Sequence, residues 1–151
     1  MKYSEIKQDL FTVDDTYYLA HCISADFGMG RGIVVQFNKR FDMKNKLKEK
    51  YPDYLREFCS VYKGDCILED RVFNLITKER YWGKPIYESV TQALEKCRKI
   101  CIEKGIKKIA MPTIACGLDG LSWEKVSQII KETFKDTDIE ILVCKIWMEE
   151  Q

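Results

Sequence analysis

Two segments with closely spaced glycines have the composition of phosphate-binding loops. The first glycine loop, residues 28–32, reads Gly-Met-Gly-Arg-Gly, and the second glycine loop, residues 115–120, reads Ala-Cys-Gly-Leu-Asp-Gly. Glycine adopts backbone conformations that other residues avoid, and it lets N–H groups approach an anion without a Cβ in the way. A helix that begins after such a loop adds unpaired N–H donors and partial positive charge. The two loops could together hold the two ends of a diphosphate, although each alone also fits a plain turn.

Neither glycine loop carries the motif of a common nucleotide enzyme. The Gly-x-x-x-x-Gly-Lys-Ser/Thr pattern of ATP-hydrolysing P-loops does not occur in them, and the first loop lacks the Gly-x-Gly-x-x-Gly pattern of dehydrogenases. The sequence therefore favours a diphosphate-bearing ligand without hydride chemistry.

Both glycine loops lie between a predicted strand and a predicted helix. The nearly continuous apolar run of residues 17–23 indicates a strand buried on both faces, and residues 108–111 indicate a short strand before the second loop. Ser122 is the expected N-cap of the helix after the second loop. The apolar residues at helical spacing are Ile33, Val34, Phe37 and Phe41 after the first loop, and Trp123, Val126, Ile130 and Phe134 after the second.

The other segments continue the alternation of strands with helices. They are two strands joined by a tight turn at residues 66–69 and 71–77, a long helix from just after Pro85 to near Gly105, a polar helical stretch over residues 44–58, and a closing strand at residues 139–144. This alternation predicts an α/β layered sandwich with a substantially parallel sheet. In such folds ligands bind at the carboxyl ends of strands, which is where both glycine loops lie.

Composition and charge narrow the classes of partner and compartment. The 151 residues include 25 Lys and Arg against 24 Asp and Glu, so a formal charge of +1 gives no overall attraction to nucleic acid or to an anionic membrane. Seven cysteines without a Cys-x-x-Cys pair argue against a disulfide framework and favour an intracellular protein, cytoplasmic or, in a eukaryote, nuclear. No apolar run has the length of a signal peptide or a membrane span, so we expect neither. One domain is the simplest interpretation.

Histidine and cysteine chemistry is not expected at the site. His21 is the only histidine, which removes most histidine-based metal sites. Its neighbour Cys22 invites a Cys-His nucleophile, but adjacent residues of a strand point to opposite faces of the sheet. Cys97 and Cys101 lie four apart in a helix-like stretch and are expected to be small core residues.

Motifs along most of the chain resemble the macrodomain family. They are Asp9-Leu-Phe11, Leu19-Ala-His-Cys-Ile-Ser24 leading to Met29-Gly30 and Gly32-Ile33, Leu75-Ile-Thr-Lys78 with Lys84-Pro85 and Tyr87-Glu88, and Met111-Pro112 with Cys116-Gly-Leu-Asp-Gly120. The Ile-Thr-Lys and Cys-Gly-Leu-Asp-Gly segments are the specific ones, and they are similar to the terminal ADP-ribose protein glycohydrolase branch. The resemblance runs in order over residues 3–143.

The resemblance implies a single macrodomain over residues 1–151 that binds ADP-ribose. Its expected fold is a three-layer α/β/α sandwich with a mixed, substantially parallel central sheet. By match of position, Asp9 would accept a hydrogen bond from the adenine amino group, and Ser24 with the first glycine loop would line the diphosphate and the distal ribose. The full set of expected ADP-ribose contacts is Asp9, Leu10, Ser24, Met29, Gly30, Gly32, Ile33, Thr77, Ala115, Cys116, Gly117, Leu118 and Gly120. Neither a cofactor nor a metal is implied.

Lys78 and Asp119 match the two catalytic positions of that branch. The implied reaction is hydrolysis of mono-ADP-ribose esters on protein Glu or Asp side chains, with O-acetyl-ADP-ribose as a similar ester. The anomeric carbon of the distal ribose is electrophilic once the ring opens, so a lysine amine can form a Schiff base there and a carboxylate can help to resolve it. In an alternative mechanism Lys78 only stabilises developing negative charge while Asp119 positions water.

Two positions depart from the family pattern. Gln8 stands where the family often has glycine, and Ala115 replaces a glycine often found at the start of the second loop. Neither departure touches the predicted catalytic pair. Plainer interpretations of that pair also stay open, because a lysine at a strand end is usually a solvated charge and an aspartate before glycine favours a turn.

Rival functions use the same residues. A reader module would bind ADP-ribose on the same loops without cleaving it. Residues 39–50 contain six Lys and Arg against Asp42 and Glu49, a net charge of +4, which fits a solvated helical face but could also contact a nucleic-acid acceptor. Tyr81 and Trp82 could stack on a base or close over the cleft. We expect a monomer whose main partners are ADP-ribose and ADP-ribosylated proteins, with nucleic acid secondary.

Overall fold

A six-stranded mixed sheet forms the centre of the fold. The structure is a computed structural model that describes residues 1–61 and 63–145. The strands are β1 Lys2–Ile6, β2 Tyr18–Ser24, β3 Asp65–Glu69, β4 Val72–Lys78, β5 Lys108–Met111 and β6 Glu140–Cys144. Their order across the sheet is β1-β6-β5-β2-β4-β3. All neighbours pair in parallel except β3 and β4, which form an antiparallel hairpin.

Helices cover both faces of this sheet. They are α1 Val34–Phe41, α2 Met43–Lys50, α3 Tyr54–Val61, α4 Tyr87–Lys104 and α5 Trp123–Phe134. One hydrophobic core joins the sheet to α4 and α5 through side chains such as Leu94 and Ile130. A second core joins the opposite face to α1, α2 and α3 through side chains such as Phe37 and Phe58. The three-layer α/β/α sandwich with a mixed, mostly parallel sheet is therefore confirmed.

Most predicted elements are confirmed, with two differences. The strand β1 was not predicted, because it lies at the edge of the sheet and its residues are partly exposed, which leaves no continuous apolar run. The polar stretch 44–58 is two helices rather than one. The interruption at residues 51–53 contains Pro52, which cannot continue a helix that precedes it. The buried faces of the two helices include Leu47 and Phe58.

A buried polar pair links the two central strands. His21 of β2 lies opposite Asn74 of β4 in the register, and its Nε2–H donates to Asn74 Oδ1 at 2.6 Å. The Asn74 amide in turn donates to the Ile67 carbonyl at 3.1 Å, which fixes its orientation. His21 Nδ1 is buried and has no hydrogen-bond partner among the described residues. The neutral ring is therefore the form that this environment accommodates.

The buried imidazole makes stability depend on pH. Burial lowers the pKa of His21 to about 4, although the bond to Asn74 raises it. In the unfolded chain the pKa of His21 is about 6.5. As the pH falls below this value, the unfolded chain binds a proton that the folded chain does not bind, so the folded state becomes less stable. We expect a loss of about 2 kcal/mol from this group between pH 7 and pH 5. Urea unfolding of the wild type and of His21→Gln at pH 7 and pH 5 measures this loss of stability. Equal pH dependence in the two proteins would contradict this role of His21.

Candidate functional site

The carboxyl ends of five parallel strands lie along one edge of the sheet. Their order is β1, β6, β5, β2 and β4. The register pairs Ser24 at the end of β2 with Lys78 at the end of β4, while Asp9 follows β1 and the second glycine loop follows β5. With ordinary strand spacing the edge from β1 to β4 is about 19 Å long. Such an edge suits an elongated ligand that is held at both ends.

Asp26 organises the backbone that leads into the first glycine loop. Its carboxylate accepts hydrogen bonds from the Ser24 hydroxyl, from Gly28 N–H at 3.0 Å and from Tyr81 N–H at 3.0 Å. Burial raises the pKa of Asp26, but these bonds outweigh burial and hold the pKa below its usual value. A Cβ on Gly28 would lie 2.8 Å from Tyr81 Cβ, so this contact requires glycine. The loop is therefore fixed against the segment that follows β4.

The second glycine loop contains three residues in the left-handed region. Ala115, Gly117 and Gly120 have φ of 61°, 54° and 80°. The turn Gly117–Asp119 is closed by hydrogen bonds from Asp119 N–H to the Cys116 carbonyl and from Gly120 N–H to the Gly117 carbonyl, both 3.1 Å long. The left-handed conformation costs a non-glycine residue roughly 1–2 kcal/mol. Ala115 therefore bears a cost that a glycine at this position would avoid.

Lys78 and Asp119 are in direct contact where β4 and the second glycine loop meet. Lys78 Nζ lies 2.8 Å from Asp119 Oδ1. The two side chains are 15% and 17% exposed, so the pair is sheltered but can still be reached from solvent. Lys78 ends a buried central strand, and Asp119 belongs to a short turn with its own hydrogen bonds. An amine and a proton-accepting carboxylate are thus held together at the same edge as both loops.

The two glycine loops approach each other beside this pair. A Cβ placed on Gly32 would be 3.3 Å from Leu118 Cδ1. Leu118 is in turn held by Lys84, whose Nζ donates to the Leu118 carbonyl at 2.6 Å. Beyond Asp119, the Tyr87 hydroxyl accepts a hydrogen bond from Ser122 N–H at 3.0 Å. Contacts from the start of α4 and the residues before it therefore anchor the second glycine loop on both sides of Asp119.

Two thiols flank the pair, but neither is an activated nucleophile. Burial raises the pKa of the Cys22 thiol well above its usual value, and the nearby charge of Asp119 raises it further. The same two causes raise the pKa of Cys116 to about 11. Because the thiolate is the reactive form, both stay unreactive at neutral pH. His21 stacks on Phe37 at 3.8 Å in the core of the opposite face, which confirms that it does not meet Cys22.

The other predicted contact residues follow the same edge of the sheet. Asp9 caps the short turn Leu10–Thr12, where its Oδ1 accepts the Phe11 N–H at 2.9 Å, and Leu10 is buried below it. At the other end Thr77 is buried beside Lys78, and its hydroxyl has no hydrogen-bond partner among the described residues. Between these ends Met29 is buried, Ile33 and Cys116 are half-buried, and Gly30, Gly32, Gly117, Leu118 and Gly120 are exposed. The expected contacts at Asp9 and Leu10 follow β1, and those at Ser24 and Thr77 lie at the ends of β2 and β4.

Two residues that organise the site were not assigned a role from the sequence. Asp26 is an aspartate just before glycines, which is a typical turn signal, and nothing in the sequence indicates that it also bonds Tyr81. Lys84 is an exposed lysine in a loop, a type that usually has no fixed partner. Both act through backbone groups that are distant in the sequence, and such partners leave no local pattern.

The Lys84 contact predicts a loss of turnover without a loss of binding. Lys84→Met removes the donor to the Leu118 carbonyl, so the neighbouring Asp119 is held less firmly against Lys78. We expect kcat for the hydrolysis that the sequence predicts to fall about tenfold, since one charged hydrogen bond of about 1.5–3 kcal/mol is lost. The affinity for ADP-ribose should change less than about twofold. Lys84→Arg, which keeps a donor, should recover part of the rate.

A matched control separates this effect from a general change in charge. Lys99→Met removes an exposed lysine on α4 and should leave kcat unchanged. Steady-state kinetics gives kcat and KM, and calorimetry gives the affinity for ADP-ribose. A kcat for Lys84→Met equal to that of Lys99→Met would show that Lys84 does not position the loop.

Residues 1–61 and 63–145 contain neither a metal-ligating cluster nor a helix suited to span a membrane. In these residues no group of three or more His, Cys, Asp or Glu side chains is arranged to hold a metal ion. None of the helices in this part of the chain combines the length and the apolar character that crossing a membrane requires.

Comparison with known proteins agrees with the motifs at this edge. The model of the macro domain family matches residues 28–130. The ADP-ribose glycohydrolase OARD1 of Homo sapiens is 41% identical over 142 residues, which cover 91% of this chain and 88% of that protein. The DNA ADP-ribosyl glycohydrolase of Thermus aquaticus is 29% identical over 118 residues, which cover 71% of this chain and 31% of that protein.

Two solved macrodomains have the same fold. The macrodomain of Mycobacterium tuberculosis DarG superposes with a TM-score of 0.80 at 21% identity, over 94% of this chain and 96% of that one. The macrodomain of Thermus aquaticus DarG gives a TM-score of 0.75 at 23% identity, over 94% of this chain and 97% of that one. These structures share the sheet-centred α/β fold. With the family match and the sequence identity to OARD1, they lead to one conclusion: the chain belongs to the macro domain family.

Proposed function

We propose that this protein is a hydrolase that binds ADP-ribose and removes it from acceptors. The acceptors are mono-ADP-ribose esters on protein Glu or Asp side chains, and O-acetyl-ADP-ribose is a smaller ester of the same kind. The observation that carries the proposal is the contact between Lys78 and Asp119 at 2.8 Å. Identity of 41% to an ADP-ribose glycohydrolase over most of both chains supports the same activity.

The two glycine loops supply the phosphate-binding part of the site. The first follows β2 and leads into α1, and the second follows β5 and lies before α5. Backbone N–H groups without a neighbouring Cβ, near a helix N-terminus, are suited to the oxygens of a diphosphate. The adenine end then lies toward Asp9, whose carboxylate can accept from the exocyclic amino group. The distal ribose lies at the other end, beside Lys78.

The pair can cleave the ester in two stages. Lys78 gives a proton to Asp119, its amine attacks the anomeric carbon with its lone pair, and the acceptor carboxylate leaves with the electrons of the C–O bond and takes the proton that Asp119 holds. One of the two remaining amine protons passes to the ring oxygen as the sugar ring opens, which gives a protonated Schiff base. Asp119, ionised again, takes a proton from a water molecule that adds to this carbon and passes it to the nitrogen, and the C–N bond then breaks to return the Lys78 amine and the sugar aldehyde. The net change is ester plus water to carboxylic acid plus ADP-ribose.

A nucleic-acid acceptor is the second candidate. It is supported by the 29% identity to a DNA ADP-ribosyl glycohydrolase and by the basic surface of α1 and α2. On that surface Lys46 and Lys50 are paired with Asp70 and Glu69, which reduces its charge. Because these ion pairs leave less positive charge for a nucleic acid to contact, we favour the protein ester as the acceptor.

A panel of substrates distinguishes the two acceptors. An ADP-ribosylated protein with Glu or Asp esters, O-acetyl-ADP-ribose and a base-linked ADP-ribosylated oligonucleotide are compared by release of ADP-ribose. We expect the two esters to be hydrolysed at the higher kcat/KM. Binding of ADP-ribose without release from any of the three would indicate a reader module instead.

A further inference from the structure

Exposed hydrophobic side chains are concentrated around the end of β4. We define the rim segment as residues 79–86, which connect β4 to α4. Among the described residues seven large hydrophobic side chains are exposed, and four of them are Tyr81, Trp82, Ile86 and Leu118. Leu118 is attached to the rim segment through the bond from Lys84 to its carbonyl. Single exposed apolar residues are common, but a group of four beside one site indicates an interaction surface.

The aromatic pair is presented on an ordered turn. Gly83 N–H donates to the Arg80 carbonyl at 2.9 Å, so Tyr81 and Trp82 occupy the two central positions of this turn. Their rings meet edge to face with centroids 5.0 Å apart. The two residues are 63% and 64% exposed. The Tyr81 N–H is bonded to Asp26 at 3.0 Å. Because the turn is already fixed, little ordering entropy opposes a partner that covers the rings.

The location of this surface connects it with the acceptor rather than with ADP-ribose. In the proposed function the acceptor is joined to the carbon that Lys78 attacks. The rim segment begins at the next residue along the chain, and its Lys84 contacts the turn that carries Asp119. An acceptor that extends from that carbon therefore passes next to the rim segment. The diphosphate and adenine extend in the opposite direction, toward β1.

The chemistry of the surface favours a polypeptide. Tyrosine, tryptophan and arginine are the residue types that dominate protein interfaces, and Arg80 Cζ lies 5.6 Å from the centre of the Trp82 ring. Ile86 adds an exposed aliphatic side chain at the end of the rim segment, and Leu118 lies where the Lys84 contact joins this segment to the second glycine loop. Charges on the rim segment are mixed, with Glu79 beside Arg80 and Lys84, whereas a nucleic acid would require a clear excess of cations.

We propose that Tyr81, Trp82 and Ile86 form a docking surface for the polypeptide that flanks the ADP-ribosylated Glu or Asp of a substrate protein. This inference rests on the proposed function and adds a specificity determinant outside the ADP-ribose site. It gives the protein a preference for protein esters over the acetyl ester, because acetate is too small to reach the rim.

The test compares two esters that share ADP-ribose but differ in the size of the acceptor. Trp82→Ala is assayed on an ADP-ribosylated protein ester and on O-acetyl-ADP-ribose. We expect kcat/KM for the protein ester to fall about tenfold, through KM, and kcat/KM for the acetyl ester to change less than about twofold. Trp82→Phe should retain most of the wild-type value. Ile102→Ala, an exposed apolar residue near the far end of α4, is the control and should alter neither substrate.

Four outcomes would overturn the inference. An equal loss on both esters would mean that the rings serve ADP-ribose binding or folding rather than acceptor binding. No loss on either ester would mean that the rings do not bind the acceptor. A loss confined to an ADP-ribosylated oligonucleotide would make nucleic acid the occupant. If the wild type hydrolyses neither ester, the proposed function fails first, and the docking role fails with it. Selective loss on the protein ester is the result that supports the inference.

Discussion

Lys78→Ala is expected to lower the turnover of an ADP-ribosylated protein ester by at least about a thousandfold, because it removes the group that attacks the anomeric carbon. The two thiols near Asp119 do not replace the amine, because the pKa values of Cys22 and Cys116 are raised and both remain protonated. Release of ADP-ribose under single-turnover conditions measures the chemical step. Turnover within about tenfold of the wild type would contradict a reacting amine at this position.

Lys78→Arg separates the two mechanisms left open by the sequence. Arginine keeps the positive charge and a donor for Asp119, but its guanidinium does not form a Schiff base under these conditions. If Lys78 acts as a nucleophile, the arginine variant should be as inactive as the alanine variant. If Lys78 only stabilises developing charge, the arginine variant should keep a substantial part of the rate. Folding is checked in both variants by thermal unfolding.

Asp119→Ala is expected to lower turnover by about a hundredfold to ten-thousandfold, the range for loss of a general base. Without the carboxylate that lies 2.8 Å from Lys78, water is no longer activated to release the sugar from the lysine. Part of the protein should therefore accumulate as a covalent ADP-ribose adduct. Intact-protein mass spectrometry after mixing with substrate and a mild reductant detects it, and peptide mapping should place it on Lys78.

The pair should also behave as one unit. Because the water that Asp119 activates attacks only the adduct that Lys78 forms, the double variant Lys78→Ala with Asp119→Ala should be no slower than Lys78→Ala alone. Asp138→Asn, an exposed aspartate paired with Lys107 elsewhere on the surface, is the matched control and should keep full activity. Additive losses in the double variant would mean that the two residues act independently.

The parts of the site that the sequence predicts are those fixed by local patterns. Continuous apolar runs identify β2 and β4, and glycines at strand-to-helix junctions identify both loops. Since parallel strands end at the same edge of a sheet, the loops are expected to lie together once the sheet is recognised. The register of Ser24 with Lys78 follows that logic.

The remaining features depend on contacts between distant residues. Nothing in the motif around Lys84 indicates that its amine reaches the Leu118 carbonyl, because the partner is a backbone group that every residue has. The left-handed backbone of Ala115 is likewise invisible in the sequence, since alanine seldom adopts it. The roles of Lys78 and Asp119 came from the family resemblance, and their contact is a property of the folded chain.

The most direct test is the structure of the complex with ADP-ribose. We predict that the anomeric carbon of the distal ribose lies about 3.5 Å from Lys78 Nζ, close enough for attack, with the diphosphate between the two glycine loops and adenine toward Asp9. A complex in which the distal ribose lies away from Lys78 and Asp119, with the nucleotide bound in a different orientation or on another surface, would contradict the assignment of this pair.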